Sequence, residues 1–134
     1  MLTLDRDLWL AIVGHAYDGL PDEACGVLGG RDGRATVFVP CENADHSSRT
    51  FSLGRACWEE VDRRIGDAGL DVVAIVHSHT HTEAYPSPTD LEQADNPAYP
   101  AWVIVSLRPP APTVRAYRMD GDTLVEEPIS VVPR

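Results

Sequence analysis

An apolar, mostly β-branched run that ends in histidines constrains the fold of this chain more than any other feature. Residues 72–76 read Val-Val-Ala-Ile-Val, and His77-Ser78-His79 follows without a break. Such a run predicts a buried strand, and functional groups in α/β sheets gather beyond the carboxyl ends of the strands. Because side chains alternate along a strand, His77 and His79 share one face with Cα atoms about 6.6 Å apart, and Ser78 faces the other way.

The two histidines and a later aspartate predict a metal site. Asp90 lies beyond a proline-containing loop that is long enough to return a carboxylate to the end of the strand. Two imidazoles and one carboxylate leave the fourth tetrahedral position of Zn²⁺ for water, as catalytic zinc sites do. The spacing therefore indicates one ion bound by His77, His79 and Asp90.

These residues also have an ordinary structural explanation. A His-x-His pair is common by chance and can simply end a strand. The segment Ser87-Pro88-Thr89-Asp90 has the pattern of a helix capping box with proline at the first helical position, which needs no metal. A capping carboxylate reaches back to the amide of its N-cap residue, and we expect this contact to compete with zinc binding by Asp90.

The order and spacing of six residues resemble the motif of the JAMM (MPN-plus) metalloprotease family. The matching residues are Glu23, His77, Ser78, His79, Ser87 and Asp90. Three further segments look like the small bacterial members of the family: residues 21–28, residues 79–87, and residues 115–118 with 126–128. The resemblance covers most of the chain.

This resemblance implies a zinc enzyme that cuts the bond after the C-terminal glycine of a ubiquitin-like sulfur-carrier protein and releases cysteine. One Zn²⁺ per chain, with a catalytic water, is implied at the two histidines and Asp90. Glu23 takes the role of general base, and the Ser87 hydroxyl faces the scissile carbonyl as an oxyanion donor. The implied fold is a single MPN domain over residues 1–134, an α/β (α+β) fold with a curved mixed sheet flanked by helices, of the cytidine-deaminase-like type.

Three neighbours of these residues are weaker candidates. On an extended segment, Asp22 would face away from Glu23. Without the resemblance, Glu23 itself would be interpreted as a solvated acid in a loop. If the segment is extended, Cys25 shares the face of Glu23, which suits a core position, an oxidation-sensitive thiol beside the zinc or a competing ligand. His81 continues the period-two series beyond the strand end, and we expect it at the rim of the site rather than on the metal.

Composition is typical of a small cytoplasmic enzyme. The 134 residues, with 43% hydrophobic content, suffice for one domain, and the N-terminus lacks the features of a signal peptide. No apolar stretch approaches the 18 or so residues of a membrane span, so no membrane partner is expected. A net charge of −10 argues against nucleic acid, because phosphate binding depends on Lys and Arg. Three cysteines, Cys25, Cys41 and Cys57, without a C-x-x-C pair predict reduced thiols.

The remaining pattern predicts three helices and a mixed sheet, because helices and strands do not alternate regularly. The helices are expected from about residue 4 or 6 to Gly19, from an N-cap at Ser52 to about Ala68, and from near Pro88. Strands are expected at about residues 24–29, 35–39, 72–77, 102–107 and 114–119, followed by a turn at 120–122 and a last extended piece to Val132.

Three other functions share features with this pattern. A non-catalytic MPN scaffold normally lacks part of the ligand set, which here is complete. A nucleoside or base deaminase would combine His-x-Glu with Pro-Cys-x-x-Cys, and this combination is absent. A desampylase-like isopeptidase that removes ubiquitin-like modifiers from lysines would use the same site. Either peptidase would hold an extended glycine tail in a narrow groove, with Tyr85, Thr50 and Phe51 as candidate wall residues.

Overall fold

The computed structural model of the chain describes residues 1–93, 96 and 99–133. In chain order its elements are β1 (Leu2–Asp5), α1 (Arg6–Asp18), β2 (Cys25–Arg31), β3 (Arg34–Cys41), α2 (Arg55–Val61), a π-helical continuation (Asp62–Gly66), β4 (Asp71–His79), α3 (Pro88–Leu91), β5 (Trp102–Ser106), β6 (Thr113–Asp120), β7 (Thr123–Glu127) and β8 (Ile129–Val132). The strands form one curved sheet in the order β7-β6-β5-β4-β2-β3-β1-β8.

The strand that carries the histidines lies near the middle of this sheet. β4 is antiparallel to β2 and parallel to β5, so the sheet is mixed. On one side Ile12 of α1 packs into a cluster with Val76 and Val103. On the other side Val61 of α2 packs into a cluster with Ile75. Coverage of both faces explains the continuous apolar run of β4, and it confirms the predicted mixed sheet flanked by helices.

The first helix begins and ends as the sequence predicts. Asp5 is the N-cap, and its carboxylate accepts a hydrogen bond from the amide of Leu8 at 2.8 Å. Ile12, Val13 and Ala16 are buried on the face that meets the sheet. This helical spacing of apolar residues fixes the side of α1 that faces the core.

The second helix differs from its prediction. Its N-cap is Gly54 rather than Ser52, whose hydroxyl instead donates to Oδ1 of Asp45 at 2.7 Å. The helix is also shorter, because it passes into the π-helical stretch and the chain turns at Gly69 with φ +71°. In the described part of the chain, no helix is long and apolar enough to cross a membrane.

One strand was not predicted at all. β1 pairs in parallel with β8 from Leu2↔Ile129 to Asp5↔Val132. The predicted final extended piece is divided between β7 and β8. A parallel partner so distant in sequence leaves no local signal in a segment of four residues.

The prediction of reduced thiols is wrong for two of the three cysteines. Cys41 at the end of β3 and Cys57 in α2 form a disulfide, with Cα atoms 5.4 Å apart. Cys25 is free and buried. The packing of α2 against the end of β3 brings the two thiols together, and their spacing in sequence does not reveal this contact.

Candidate active site

Three buried side chains converge between the end of β4 and the start of α3. Nε2 of His77 lies 3.2 Å from Nε2 of His79. Oδ2 of Asp90 lies 3.0 Å from the His77 nitrogen and 3.2 Å from the His79 nitrogen. All three residues are at most 5% exposed. The structure thus brings together the residues that their spacing predicted as ligands.

The three atoms form a triangle of the size that a zinc ion requires. Ligands bound at 2.0–2.1 Å in a tetrahedron lie about 3.3 Å from one another, and imidazole nitrogens and carboxylate oxygens are ordinary zinc ligands. The observed edges are 3.0, 3.2 and 3.2 Å. Among the described residues, this is the one group of three or more His, Cys, Asp or Glu side chains close enough to share an ion. The donor set therefore fits zinc.

Contacts on the far side of each ring orient the two imidazoles. Nδ1 of His79 lies 2.8 Å from the carbonyl oxygen of Glu83 and donates to it, so the neutral form of this ring has its lone pair on Nε2. The ring of His77 stacks on Phe51, with centroids 4.4 Å apart. Nδ1 of His77 has no hydrogen-bond partner in the described part of the chain, so this ring meets other polar groups through Nε2.

Asp90 also caps its own helix, as the capping-box pattern predicts. The amide of Ser87 donates to Oδ2 of Asp90 at 2.9 Å, and the amide of Asp90 donates to the Ser87 hydroxyl at 3.1 Å. The oxygen that accepts from Ser87 also faces both imidazoles. A carboxylate oxygen has two lone pairs, so this oxygen can accept from the cap and still offer a lone pair toward the cluster. The cap holds the carboxylate in the cluster.

Burial and mutual contacts set the protonation of the cluster. Burial lowers the pKa of His77, which keeps this imidazole neutral at pH 7. Burial opposes ionisation of Asp90, but hydrogen bonds from His77 and His79 outweigh it and lower the pKa of Asp90. Burial opposes the charge on His79 as well, yet its hydrogen bond to Asp90 raises the pKa of His79. A neutral imidazole and an ionised carboxylate are forms that bind a metal cation.

Glu23 lines a cleft together with His79 of this cluster. The cleft has a volume of about 550 Å³ and is lined by Glu23, Ser48, Arg49, His79, Thr80, His81, Thr82 and Ser87. Glu23 is only 5% exposed. Burial raises the pKa of its carboxyl group to about 7, with His79 opposing the rise and Asp90 adding to it. A carboxyl group with this pKa can take up and release a proton near neutral pH.

Hydrogen bonds to Ser78 of β4 and to the Ser47 carbonyl hold the Glu23 segment in place. The hydroxyl of Ser78 accepts from the amide of Ala24 at 2.7 Å, and the amide of Ser78 donates to the Ala24 carbonyl at 2.9 Å. The amide of Glu23 donates to the Ser47 carbonyl at 2.8 Å. Sequence reasoning assigned no role to Ser78, because strand alternation gives the direction of a side chain but not its partner.

Two candidates named from the sequence lie outside the ligand cluster. His81 is exposed and lines the cleft. Cys25 is fully buried in the apolar cluster beneath α2, where its thiol donates to the Glu42 carbonyl at 3.6 Å. Burial raises the pKa of this thiol to about 12, which keeps it protonated. Cys25 is therefore a core residue.

The walls of the cleft differ from those predicted. Phe51 packs on His77, and the carbonyl of Thr50 accepts from Asn43 at 2.9 Å. Tyr85 lines a separate cavity of about 200 Å³, where its ring meets that of Tyr117. None of the three is among the residues that line the cleft, so this prediction is wrong. The path of an irregular loop depends on such tertiary hydrogen bonds, which the sequence does not reveal.

Comparison with known proteins identifies the family. Residues 5–120 match the family described as prokaryotic homologs of the JAB domain. The chain is 42% identical over 135 residues to the CysO-cysteine peptidase of Mycobacterium tuberculosis, in an alignment that covers 98% of this chain and 92% of that protein. The CysO-cysteine peptidase of Mycobacterium bovis matches to the same extent. The chain belongs to the JAB/MPN family.

Solved structures agree with this assignment. A protein of Desulfitobacterium hafniense superposes with a TM-score of 0.88 at 31% identity, covering 100% of this chain and 94% of that one. A JAB1/MPN domain protein from Archaeoglobus fulgidus superposes with a TM-score of 0.64 at 20% identity, covering 98% and 97%, and shares the fold. The peptidase relatives and the shared fold together support a peptidase of the JAB/MPN family.

Proposed function

We propose that this protein is a zinc-dependent peptidase that hydrolyses the bond after the C-terminal glycine of a ubiquitin-like sulfur-carrier protein and releases cysteine. The ligand triangle beside a cleft that Glu23 and Ser87 line is the observation that supports the metal chemistry. The choice of substrate is supported by the 42% identity to a CysO-cysteine peptidase. We further propose that residues 1–134 act as one domain in the cytoplasm.

His77 and His79, through Nε2, and the Asp90 carboxylate would hold the zinc ion. When bound there, zinc supplies a Lewis acid and a water nucleophile at neutral pH. The imidazoles are already oriented by Glu83 and Phe51, and the carboxylate by the helix cap. Fixed ligands of this kind lose little freedom on binding a metal.

Glu23 is the proposed general base. Its carboxylate takes a proton from the attacking water and passes it to the departing nitrogen as the carbon–nitrogen bond breaks. Its raised pKa, about 7, suits both transfers at neutral pH. Asp22 is half-buried and is not among the residues that line this cleft, so it is the poorer candidate.

Ser87 is the proposed donor to the developing oxyanion. Its hydroxyl oxygen accepts from the Asp90 amide, and this bond leaves the hydroxyl hydrogen free. A donor aimed at the carbonyl oxygen stabilises the transition state, and loss of one such donor typically costs about 10² to 10³ in rate. The cap of α3 thereby fixes a metal ligand and a substrate contact together.

The second candidate function is an isopeptidase that removes a ubiquitin-like modifier from lysine. It would use the same five residues and differ in the leaving group. The complete ligand triangle weighs against a third candidate, a non-catalytic MPN scaffold. A cysteine-releasing enzyme needs room for one free amino acid on the leaving side, whereas an isopeptidase must accommodate a folded protein there.

Parallel hydrolysis assays separate the two enzymes. The zinc-loaded protein is incubated with a sulfur carrier bearing a C-terminal cysteine and, separately, with the same carrier joined to a lysine side chain, and products are identified by mass spectrometry. We expect faster release of cysteine. Faster cleavage of the isopeptide would refute the substrate assignment and keep the metal chemistry, and cleavage of neither by zinc-loaded protein would refute both.

A further inference from the structure

The buried side chain of Asn43 binds the backbone of Glu23 directly. Its Nδ2 donates to the carbonyl of Thr50 at 2.9 Å, to that of Glu23 at 3.0 Å and to that of Ser47 at 3.3 Å. Asn43 is 6% exposed. A buried amide with several partners is costly to remove, because each partner would lose a hydrogen bond in a place that water reaches poorly.

The same side chain closes the loop of residues 43–53, which we call the Asn43 loop. Its Oδ1 accepts from the amides of Asp45 at 2.9 Å and Ser52 at 3.3 Å. Backbone pairing of Asn43 with Leu53 joins the two ends of the loop. One side chain therefore links both ends of this loop to the segment that carries Glu23.

The Asn43 loop also forms part of the cleft. Ser48 and Arg49 line the cleft together with Glu23. The Thr80 hydroxyl, just beyond β4, donates to the Ser48 carbonyl at 3.5 Å, and the Glu23 amide donates to the Ser47 carbonyl at 2.8 Å. The loop thus bridges the Glu23 segment and the end of the histidine strand, and Asn43 holds it in that form.

We propose that Asn43 is a positioning residue, which fixes Glu23 relative to the His77, His79 and Asp90 cluster through the Glu23 carbonyl. The inference rests on the proposed function, in which Glu23 moves the proton. A displacement of about 1 Å at a reacting group can cost roughly 10² in rate. Loss of Asn43 therefore affects catalysis while the ligands, which lie on β4 and α3, keep the metal.

The first test compares three variants of the zinc-loaded protein. Asn43→Ala removes every hydrogen bond of this side chain, and Asn43→Asp keeps the shape but places a carboxylate oxygen against three carbonyls. For both we expect a fall in kcat of roughly 10- to 100-fold, the usual cost of losing a supporting contact, with zinc still bound at about one per chain. Ser52→Ala is the matched control, because its hydroxyl bonds only the exposed Asp45 side chain in the same loop. Its kcat should stay near that of the wild type.

A double-mutant cycle shows whether Asn43 acts through Glu23. In single-turnover assays, Asn43→Ala added to Glu23→Gln should cause little further loss of rate, because the glutamine side chain cannot transfer the proton even when it is correctly positioned. If the two losses multiply, Asn43 supports the loop in general and the inference is overturned. Asn43→Asp provides the same comparison if Asn43→Ala does not fold.

Amide hydrogen exchange tests the contact without any substrate. The Glu23 amide should exchange at least about 10-fold faster in Asn43→Asp than in the wild type, while amides of β5 keep their protection. Unchanged exchange at Glu23 together with unchanged kcat would overturn the inference. If the wild type cleaves no carrier adduct, the proposed function fails, and the exchange result still decides whether Asn43 holds Glu23.

Discussion

Replacement of Glu23 by glutamine separates the chemical role of this carboxyl group from its effect on folding. Glutamine has nearly the same shape but cannot accept the proton from water, and general acid–base catalysis contributes about 10² to 10⁴ in rate. We therefore expect turnover of Glu23→Gln to fall by about that factor while zinc remains at about one per chain. Asp22→Asn is the neighbouring control and should keep its turnover.

The same substitution should stabilise the metal-free protein near and above pH 7. Burial raises the pKa of Glu23 from its usual 4.5 to about 7. A difference of about 2.5 units corresponds to about 3 kcal/mol of free energy of unfolding. Solvent in the cleft screens part of this effect, so we expect a gain of about 1 to 3 kcal/mol for the glutamine variant.

The pH dependence follows from the pKa of Glu23 in the unfolded chain, 4.5, and in the folded protein, about 7. Below pH 4.5 Glu23 is protonated in the folded and unfolded states, so the wild type bears no cost of ionisation. Between pH 4.5 and about 7 the unfolded chain releases the proton while the folded protein keeps it, and the wild type loses stability relative to the variant. Above this range the difference in free energy of unfolding between the variant and the wild type stays constant.

Urea denaturation of chelator-treated wild type and Glu23→Gln at about pH 4, 6 and 8 measures this difference. The stability gain of the variant should be small at the lowest pH and grow through the middle of the range. An equal difference at all three values would refute the conclusion that burial raises the pKa. Near-normal turnover of the variant would separately remove Glu23 from the mechanism.

Three further changes test the site and its support. Alanine at His77, His79 or Asp90 should abolish stoichiometric zinc binding, measured by elemental analysis. His81→Ala should retain the zinc, and the reverse pattern would refute the ligand assignment. Ser87→Ala should lower kcat by about 10² to 10³ with zinc retained, and an unchanged kcat would leave the hydroxyl with its capping role alone. Tyr117→Phe removes the hydroxyl that donates to the Ala84 carbonyl at 2.5 Å. The free energy of unfolding, measured by urea denaturation, should fall by about 1 to 2 kcal/mol. Unchanged stability would contradict the contact.

Local patterns in the sequence determined the part of the site that contains His77, His79 and Asp90. The alternation of a strand predicted that His77 and His79 share a face, and the capping-box pattern at Ser87 predicted the start of α3. Both are properties of a few consecutive residues, and the backbone period or the cap geometry fixes them wherever the segment lies. The limits of α1 were predictable for the same reason, since Asp5 and Gly19 act on the adjacent turns.

Only the tertiary structure determined how distant segments meet at this end of the sheet. Pairing of β2 with β4 and the hydroxyl of Ser78 bring Glu23 to the cleft, and Asn43 then binds the Glu23 carbonyl. The Cys41–Cys57 disulfide and the pairing of β1 with β8 were missed for the same reason. Each depends on which surfaces the whole chain buries against one another, and the free energy of that choice is spread over contacts far apart in the sequence.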